Sequence, residues 1–342
     1  MMFKRKKYRT YLYFALVIIA ACNPQKDPEH TKFAPVKNNI YYLKELNTAQ
    51  IQALDKNKTV ILIPGGIIEE HGPYLPTFAD GYWNEKLTDT IAKALSQQNW
   101  NVMIFPTIPL GNSGANDIGG KYSFPGTYAV RYETLRNIFM DLATEFGEQG
   151  FKNIFIIHSH GAPNHQRALD QAADFFNETY KGKMINLMGI ADLQFTWFDA
   201  SNAKQQEQQD GMKMHGGMSE TSSMLYLVPH LVDTNYKLSN SFAGKDMQEL
   251  ITIAKEPNWK GYFGSEKIAS IAYGQEAWKL NSGDCLKYVF DILNNKINID
   301  TIPRFADVMK ESAPDVELDN LSLKEENRRK AIQAEWLKKI SD

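Results

Sequence analysis

Four runs of apolar, largely β-branched residues recur along the chain with helical stretches between them, and this alternation constrains the fold more than any other feature. The first, Thr59-Val-Ile-Leu-Ile63, stops at Pro64-Gly65-Gly66. Val102-Met-Ile-Phe105, Asn153-Ile-Phe-Ile-Ile157 and Met184-Ile-Asn-Leu-Met188 repeat the pattern. A run that is apolar on both faces reads as a strand of a parallel sheet covered on both sides. Between the runs, Leu87, Ile91 and Leu95 mark one helix. Leu135, Ile138, Phe139, Leu142, Ala143 and Phe146 share one face of a second, closed by Gly150, and Leu169, Ala172, Ala173 and Phe176 mark a third. Strands alternating with helices predict βαβ units and an α/β protein built on a mostly parallel sheet. A single body over residues 40–300 is long enough to bury a substantial core, and no internal repeat divides it.

The N-terminus does not belong to that body. Lys4, Arg5, Lys6, Lys7 and Arg9 form a basic segment, and Tyr11 to Ala21 is an apolar run of signal-peptide length, too short to span a bilayer. It ends Ile18-Ile19-Ala20-Ala21-Cys22, which resembles the lipobox of bacterial lipoproteins, where cleavage leaves a lipidated cysteine. Residues 1–21 therefore read as a lipoprotein signal peptide and 22–39, rich in Pro, Lys and Asn, as a flexible tether. The expected location is exported, held to a membrane facing the periplasm or cell surface only through a lipid at Cys22. Removing the signal takes away five basic residues and no acids, so the formal charge moves from −2 to −7. A chain without a basic surplus is not a nucleic-acid binder. Of the two cysteines, Cys285 would remain the only thiol, which excludes a disulfide scaffold and an all-cysteine zinc site. Residues 301–342 form a charged extension. Ser322-x-x-Glu325 reads as a capping box there, and Ile332, Trp336 and Ile340 as the stripe of a terminal helix that docks on the body or on another subunit.

Parallel sheets bind ligands beyond the carboxyl ends of their strands, so the polar residues after each run carry the functional reading. After the first come Glu69, Glu70, His71 and, past a Pro-bounded loop, Asp80. Glu69 and His71 are two apart and share a side in extended chain. Spacing alone leaves open a metal site or an ordinary solvated turn with Asp80 as a helix cap. After the third run stands His158-Ser-His160-Gly-Ala-Pro-Asn-His165, three of the seven histidines in eight residues, with His165 at a helix start. A third cluster, His215-Gly-Gly-Met-Ser219-Glu220-Thr-Ser222, precedes an apolar helical stretch. There Ser219 is either an N-cap with Glu220 as a first-turn acid, or Glu220 is a ligand with His215 beside it as acid/base.

Taken together these clusters resemble the creatininase family of metal-dependent amidohydrolases. The resemblance rests on four segments in order: Glu69-x-His71-Gly-Pro-x-Leu-Pro-x-x-x-Asp80, Phe124-Pro-Gly-Thr127, His160-Gly161 with Asn164, and His215-Gly-Gly-x-x-Glu220-Thr-Ser222. It implies a three-layer α/β/α fold and a pair of divalent ions, zinc, manganese or iron. By position Glu69 and His160 would each hold an ion, Asp80 would bridge the pair and His71 would serve the second. The glutamate that completes this site in creatininase is replaced here by Ala162, and Glu220 is taken in its place. Carboxylates with imidazoles suit zinc or manganese. Such ions would furnish hydroxide from water and polarise a scissile carbonyl, with His215 as the proton donor to the leaving nitrogen. The resemblance thus implies hydrolysis of a non-peptide C–N bond in a small molecule, most simply a cyclic amide, by a homo-oligomer, commonly a hexamer. Related readings keep the fold and the metals but make the chain a deformylase or a cyclic-ketone hydrolase. A non-catalytic binding lipoprotein is the alternative from another class.

Three departures bear on the substrate. The His-Gly-Gly-Asn segment is one residue longer here. Gly111–Gly120 lacks a histidine that many relatives carry, and Met218 stands where a glutamate is frequent. His158 is a candidate further ligand or substrate contact.

Overall fold

The computed structural model describes residues 39–189, 208–212, 214–304 and 313–341. The signal segment, Cys22 and the tether as far as residue 38 lie outside the described residues. Five strands form one sheet: β1 Ile40–Tyr42, β2 Thr59–Pro64, β3 Asn101–Ile104, β4 Asn153–Ile157 and β5 Lys183–Asn186. Their order is β1-β3-β2-β4-β5, and every neighbouring pair is parallel. The four apolar runs are β2 to β5. The last is shorter than its sequence suggested, because Leu187 to Gly189 already turn helical. β1 went unread: three residues of a half-exposed edge carry neither an apolar run nor a measurable alternation.

Successive side chains of a strand point to opposite faces, and both faces here are buried. Val60 and Leu62 of β2, with Val102, Ile104, Phe155, Ile157 and Ile185, pack against Leu87, Ile91 and Leu95. Those three come from helix α2, Ala79–Gln97, which follows the short α1, Thr48–Ala53. Ile61, Ile63, Met103, Ile154, Ile156 and Met184 face the other way, onto Leu135, Phe139, Ala143, Leu169, Ala172 and Phe176. These belong to α3, Tyr132–Glu148, and α4, Pro163–Tyr180. The result is the three-layer α/β/α arrangement. Each fully buried aliphatic of these two layers contributes about 1.5–3 kcal/mol of transfer free energy.

The later helices are α5 Met218–Leu227, α6 Met247–Lys255, α7 Ile271–Leu293 and α8 Ala313–Ser341. α7 completes the α2 layer with Cys285, Tyr288, Val289 and Ile292, so the lone thiol is a core residue. Trp83 and Trp278 meet edge to face at 5.5 Å, and Trp259 is buried against Phe263. Trp259 therefore belongs to the interior of the chain, and Trp83 and Trp278 are half-buried against the core.

Two helix-start readings are corrected. Gly217, not Ser219, is the N-cap of α5, and its first N–H, that of Met218, is taken by Asp210 Oδ1 at 2.9 Å. Ser322 caps nothing: α8 begins at Ala313, and the Ser322 hydroxyl donates to Asp117 Oδ2 at 2.8 Å. The docked part of α8 is its first half, where Asp315 and Ser322 are buried and Leu318 packs on the body. Ile332, Trp336 and Ile340 remain 58–62% exposed in the chain.

β2 and β4 are neighbours at the centre of the sheet, yet α2 leaves β2 over one face and α4 leaves β4 over the other. The chain exits diverge and open a crevice beyond the strand ends, the position at which open α/β sheets bind ligands.

Candidate metal centre

Four segments meet in that crevice. The loop after β2 brings Glu69 and His71, the first turn of α2 brings Asp80, the loop after β4 brings His160, and the loop into α5 with its first turn brings His215 and Glu220. All six residues singled out from the sequence converge. Asp80 stands in the middle: its Oδ1 lies 3.4 Å from His71 Nε2 and its Oδ2 lies 3.4 Å from His160 Nδ1. Glu69 Oε2 is 3.1 Å from the same His160 nitrogen, and Glu69 Oε1 is 3.7 Å from His215 Nδ1. Glu220 Oε2 approaches His71 Nε2 at 3.6 Å. Possible ligand atoms fall into three overlapping groups, each within 4.8 Å: Glu69–His71–His215, Glu69–Asp80–His160 and His71–Asp80–Glu220.

The ring orientations are set from behind. His71 Nδ1 faces the Glu69 carbonyl at 3.2 Å, and His160 Nε2 faces the carbonyls of Asn112 at 3.1 Å and Ser113 at 2.5 Å. His215 Nε2 faces the Glu70 carbonyl. A carbonyl only accepts, so each of these outer nitrogens carries the N–H, and each inner nitrogen presents a lone pair to the carboxylates. Glu69 is fixed in turn by the Ala115 N–H at 2.5 Å from Oε1.

Lone pairs facing lone pairs fit a cation. Glu69 Oε2, Asp80 Oδ2 and His71 Nε2 are buried atoms without a hydrogen-bond partner, which costs free energy unless an ion supplies the partner. Bonds of about 2.0–2.2 Å in a tetrahedral site place ligand atoms about 3.3–3.6 Å apart. The separations around Asp80 fall in this range.

Without an ion, protons must hold the cluster together. Burial pushes His71 down, but the Asp80 carboxylate beside it and the charges of Glu220 and Glu69 outweigh it and raise it to about 10. His160 is likewise raised well above its usual value, its burial overcome by Glu69 and Asp80. Burial drives the Asp80 carboxyl up, yet His160 and His71 hold it far below the ordinary range. Glu69 is held low in the same way, by His215, His160 and His71 against burial. Near the cluster, burial and the charge of Glu69 raise Glu70 to about 8, and burial raises Glu266 to about 8.

These shifts fix the sign of a pH effect on the metal-free chain. A raised histidine stabilises fully below its unfolded value of 6.5 and loses that contribution as pH climbs through its folded value. A raised acid such as Glu266 acts in the same sense, losing stability from its ordinary value of 4.5 up to about 8. Asp80 and Glu69 lose theirs only at the acid extreme. The Tm of the chelator-treated protein is therefore expected to fall between about pH 6 and pH 9, measured by scanning calorimetry. A Tm constant over that range would contradict the assignment.

His158 stands apart. It belongs to none of the three groups. Its ring is fully buried, 5.1 Å from the Phe139 ring and beneath Gly65, where a Cβ would lie 1.9 Å from Nε2. Burial lowers it to about 3, so it is a neutral core histidine behind the site. Residues that sequence reasoning missed surround the cluster: Asn112, Ser113 and Ala115 act through backbone atoms, which no motif encodes. Thr127, at the end of the Phe-Pro-Gly-Thr segment, grips Glu70 twice: its hydroxyl accepts from the Glu70 N–H at 3.2 Å and donates to the Glu70 carboxylate.

The family model for creatininase, described as creatinine amidohydrolase, matches residues 44–289. A creatinine amidohydrolase of Pseudomonas putida is 24% identical over 179 residues, 51% of this chain and 66% of the relative, so the match spans just under two thirds of that protein. A crystal structure of creatinine amidohydrolase superposes with a TM-score of 0.57 at 19% identity, covering 76% of this chain and 98% of the other. A Bacteroides fragilis structure gives 0.56 at 20% identity, covering 77% and 99%. Similar solved creatininases include a manganese form and one described as Zn-Zn.

Proposed function

The chain belongs to the creatininase family, and from that premise we propose that it hydrolyses a non-peptide C–N bond, most simply the amide of a small cyclic molecule, using two divalent ions. In this reading Glu69, Asp80 and His160 would hold one ion, and His71, Asp80 and Glu220 would hold the other. Zinc or manganese suits this set of oxygen and imidazole donors. The observation that carries the proposal is Asp80 itself: a carboxylate with each oxygen 3.4 Å from the inward nitrogen of a different histidine. Glu220 supports the second site because it reaches His71 from α5, where Ala162 offers no carboxylate.

Bound ions supply Lewis acidity, lowering the pKa of water and polarising a carbonyl oxygen. The chain supplies the rest. Backbone carbonyls orient the three imidazoles, and burial of Glu69 and His71 keeps water from competing for the ligand atoms. His215 borders the cluster without an Asp80 contact, its Nδ1 turned inward, which suits it to pass a proton to the departing nitrogen. Glu220, with a side chain 40% exposed, stands on the open side from which a substrate enters. The lipid anchor at Cys22 and a homo-oligomeric assembly are part of the same proposal.

A screen of cyclic amides, cyclic ureas and formamides tests the reading. Hydrolysis of a cyclic amide or urea is expected, lost on chelation and restored by zinc or manganese. Full metal loading with no C–N bond cleaved would overturn it.

A further inference from the structure

We infer that Glu326, on the C-terminal helix α8, is a positioning residue for the metal centre and acts through Asn112. The inference rests on the reading of Glu69, His71, Asp80, His160 and Glu220 as metal ligands. α8 lies beyond residues 44–289, the part of the chain that the family model matches.

The Glu326 carboxylate receives two donors from the body. Asn112 Nδ2 reaches Oε1 at 2.5 Å and the Tyr132 backbone N–H reaches Oε2 at 3.0 Å. Asn112 Nδ2 also donates to the Val130 carbonyl at 2.9 Å, so the side chain ties its own loop to the start of α3 through the helix. The backbone of Asn112 faces the metal centre. Its carbonyl, with that of Ser113, holds the outer nitrogen of His160, and its N–H donates to His165 Nδ1 at 3.2 Å. Three residues on, the Ala115 N–H holds Glu69. One four-residue segment thus fixes the outer atoms of two of the five ligands.

That segment has little rigidity of its own. Residues 112–114 lie in no helix or strand, and Ser113 has φ 58°, a left-handed conformation that L residues keep only when their surroundings impose it. The surroundings include α8. Ser322, Glu326 and Arg329 share one helix face and grip the loop at Asp117, Asn112 and the Tyr122 carbonyl. Of the three, only Glu326 touches the residue that carries the His160 acceptor. Groups that orient a ligand from behind govern metal affinity as well as activity.

The test is zinc affinity of the full chain, measured by competition with a chelator. Glu326→Ala is expected to weaken zinc about tenfold, and Glu326→Gln, which keeps one acceptor oxygen, by less. Asn112→Ala should weaken it too, and the double variant should be no worse than the poorer single, because both act through one link. Lys330→Ala, which removes a contact of the same helix to Glu133, should stay within about twofold of the parent, since it orients no ligand. Equal zinc affinity in Glu326→Ala and the parent would overturn the inference, as would a loss in Lys330→Ala as large as in Glu326→Ala. A parent chain that binds no zinc would refute the metal site itself, and this inference with it.

Discussion

Asp80→Ala is expected to strip the site of metal and to lower hydrolysis at least about a thousandfold, about 4 kcal/mol of transition-state stabilisation. The size of the effect follows from position. Each Asp80 oxygen serves a different histidine, so one substitution disturbs both proposed ion positions, whereas loss of Glu220 would touch only the one beside His71. The fold should survive, because α2 is held by Leu87, Ile91 and Leu95, two to four turns further along. Elemental analysis with circular dichroism checks both halves: a helical, folded chain with its metal lost. A variant that keeps its metal and its activity would remove Asp80 from the mechanism.

His215→Ala is expected to behave differently. Metal content should be retained while kcat falls about a hundredfold to ten-thousandfold, the range for losing a general acid or base. His215 lies beside the cluster, 4.3 Å ring to ring from His71, but among the described residues its one approach to a carboxylate is the 3.7 Å contact with Glu69. Glu69 keeps His160 as its nearer partner at 3.1 Å. The split between metal content and rate decides the role. Metal lost together with activity would make His215 a ligand rather than the proton donor.

Much of this was legible in the sequence, and the boundary is physical. β2 to β5 were readable because a strand buried on both faces has no polar position to break its run. The alternating faces of Ile61 and Leu62 could be assigned only once the covering helices were seen. The six clustered residues were legible because strand ends place them and their spacing is local: two positions from Glu69 to His71, five from His215 to Glu220. Three histidines in eight residues suggested more ligands than the site uses, since alternation along the chain cannot reveal that Gly65 leaves room to bury His158. Ser322 and Glu325 matched a capping box, but the helix had already begun at Ala313. Least legible were the parts that hold the ligands. The carbonyls of Asn112 and Ser113 have no side-chain signature, and the partner of Asn112 lies 214 residues away.

The central claim is a paired metal site around Asp80, and the stoichiometry of tightly bound metal tests it most directly. After equilibration with zinc or manganese and removal of the excess, the full chain should retain about two divalent ions, and Asp80→Ala should retain fewer than one. A folded parent chain that retains none would contradict the account.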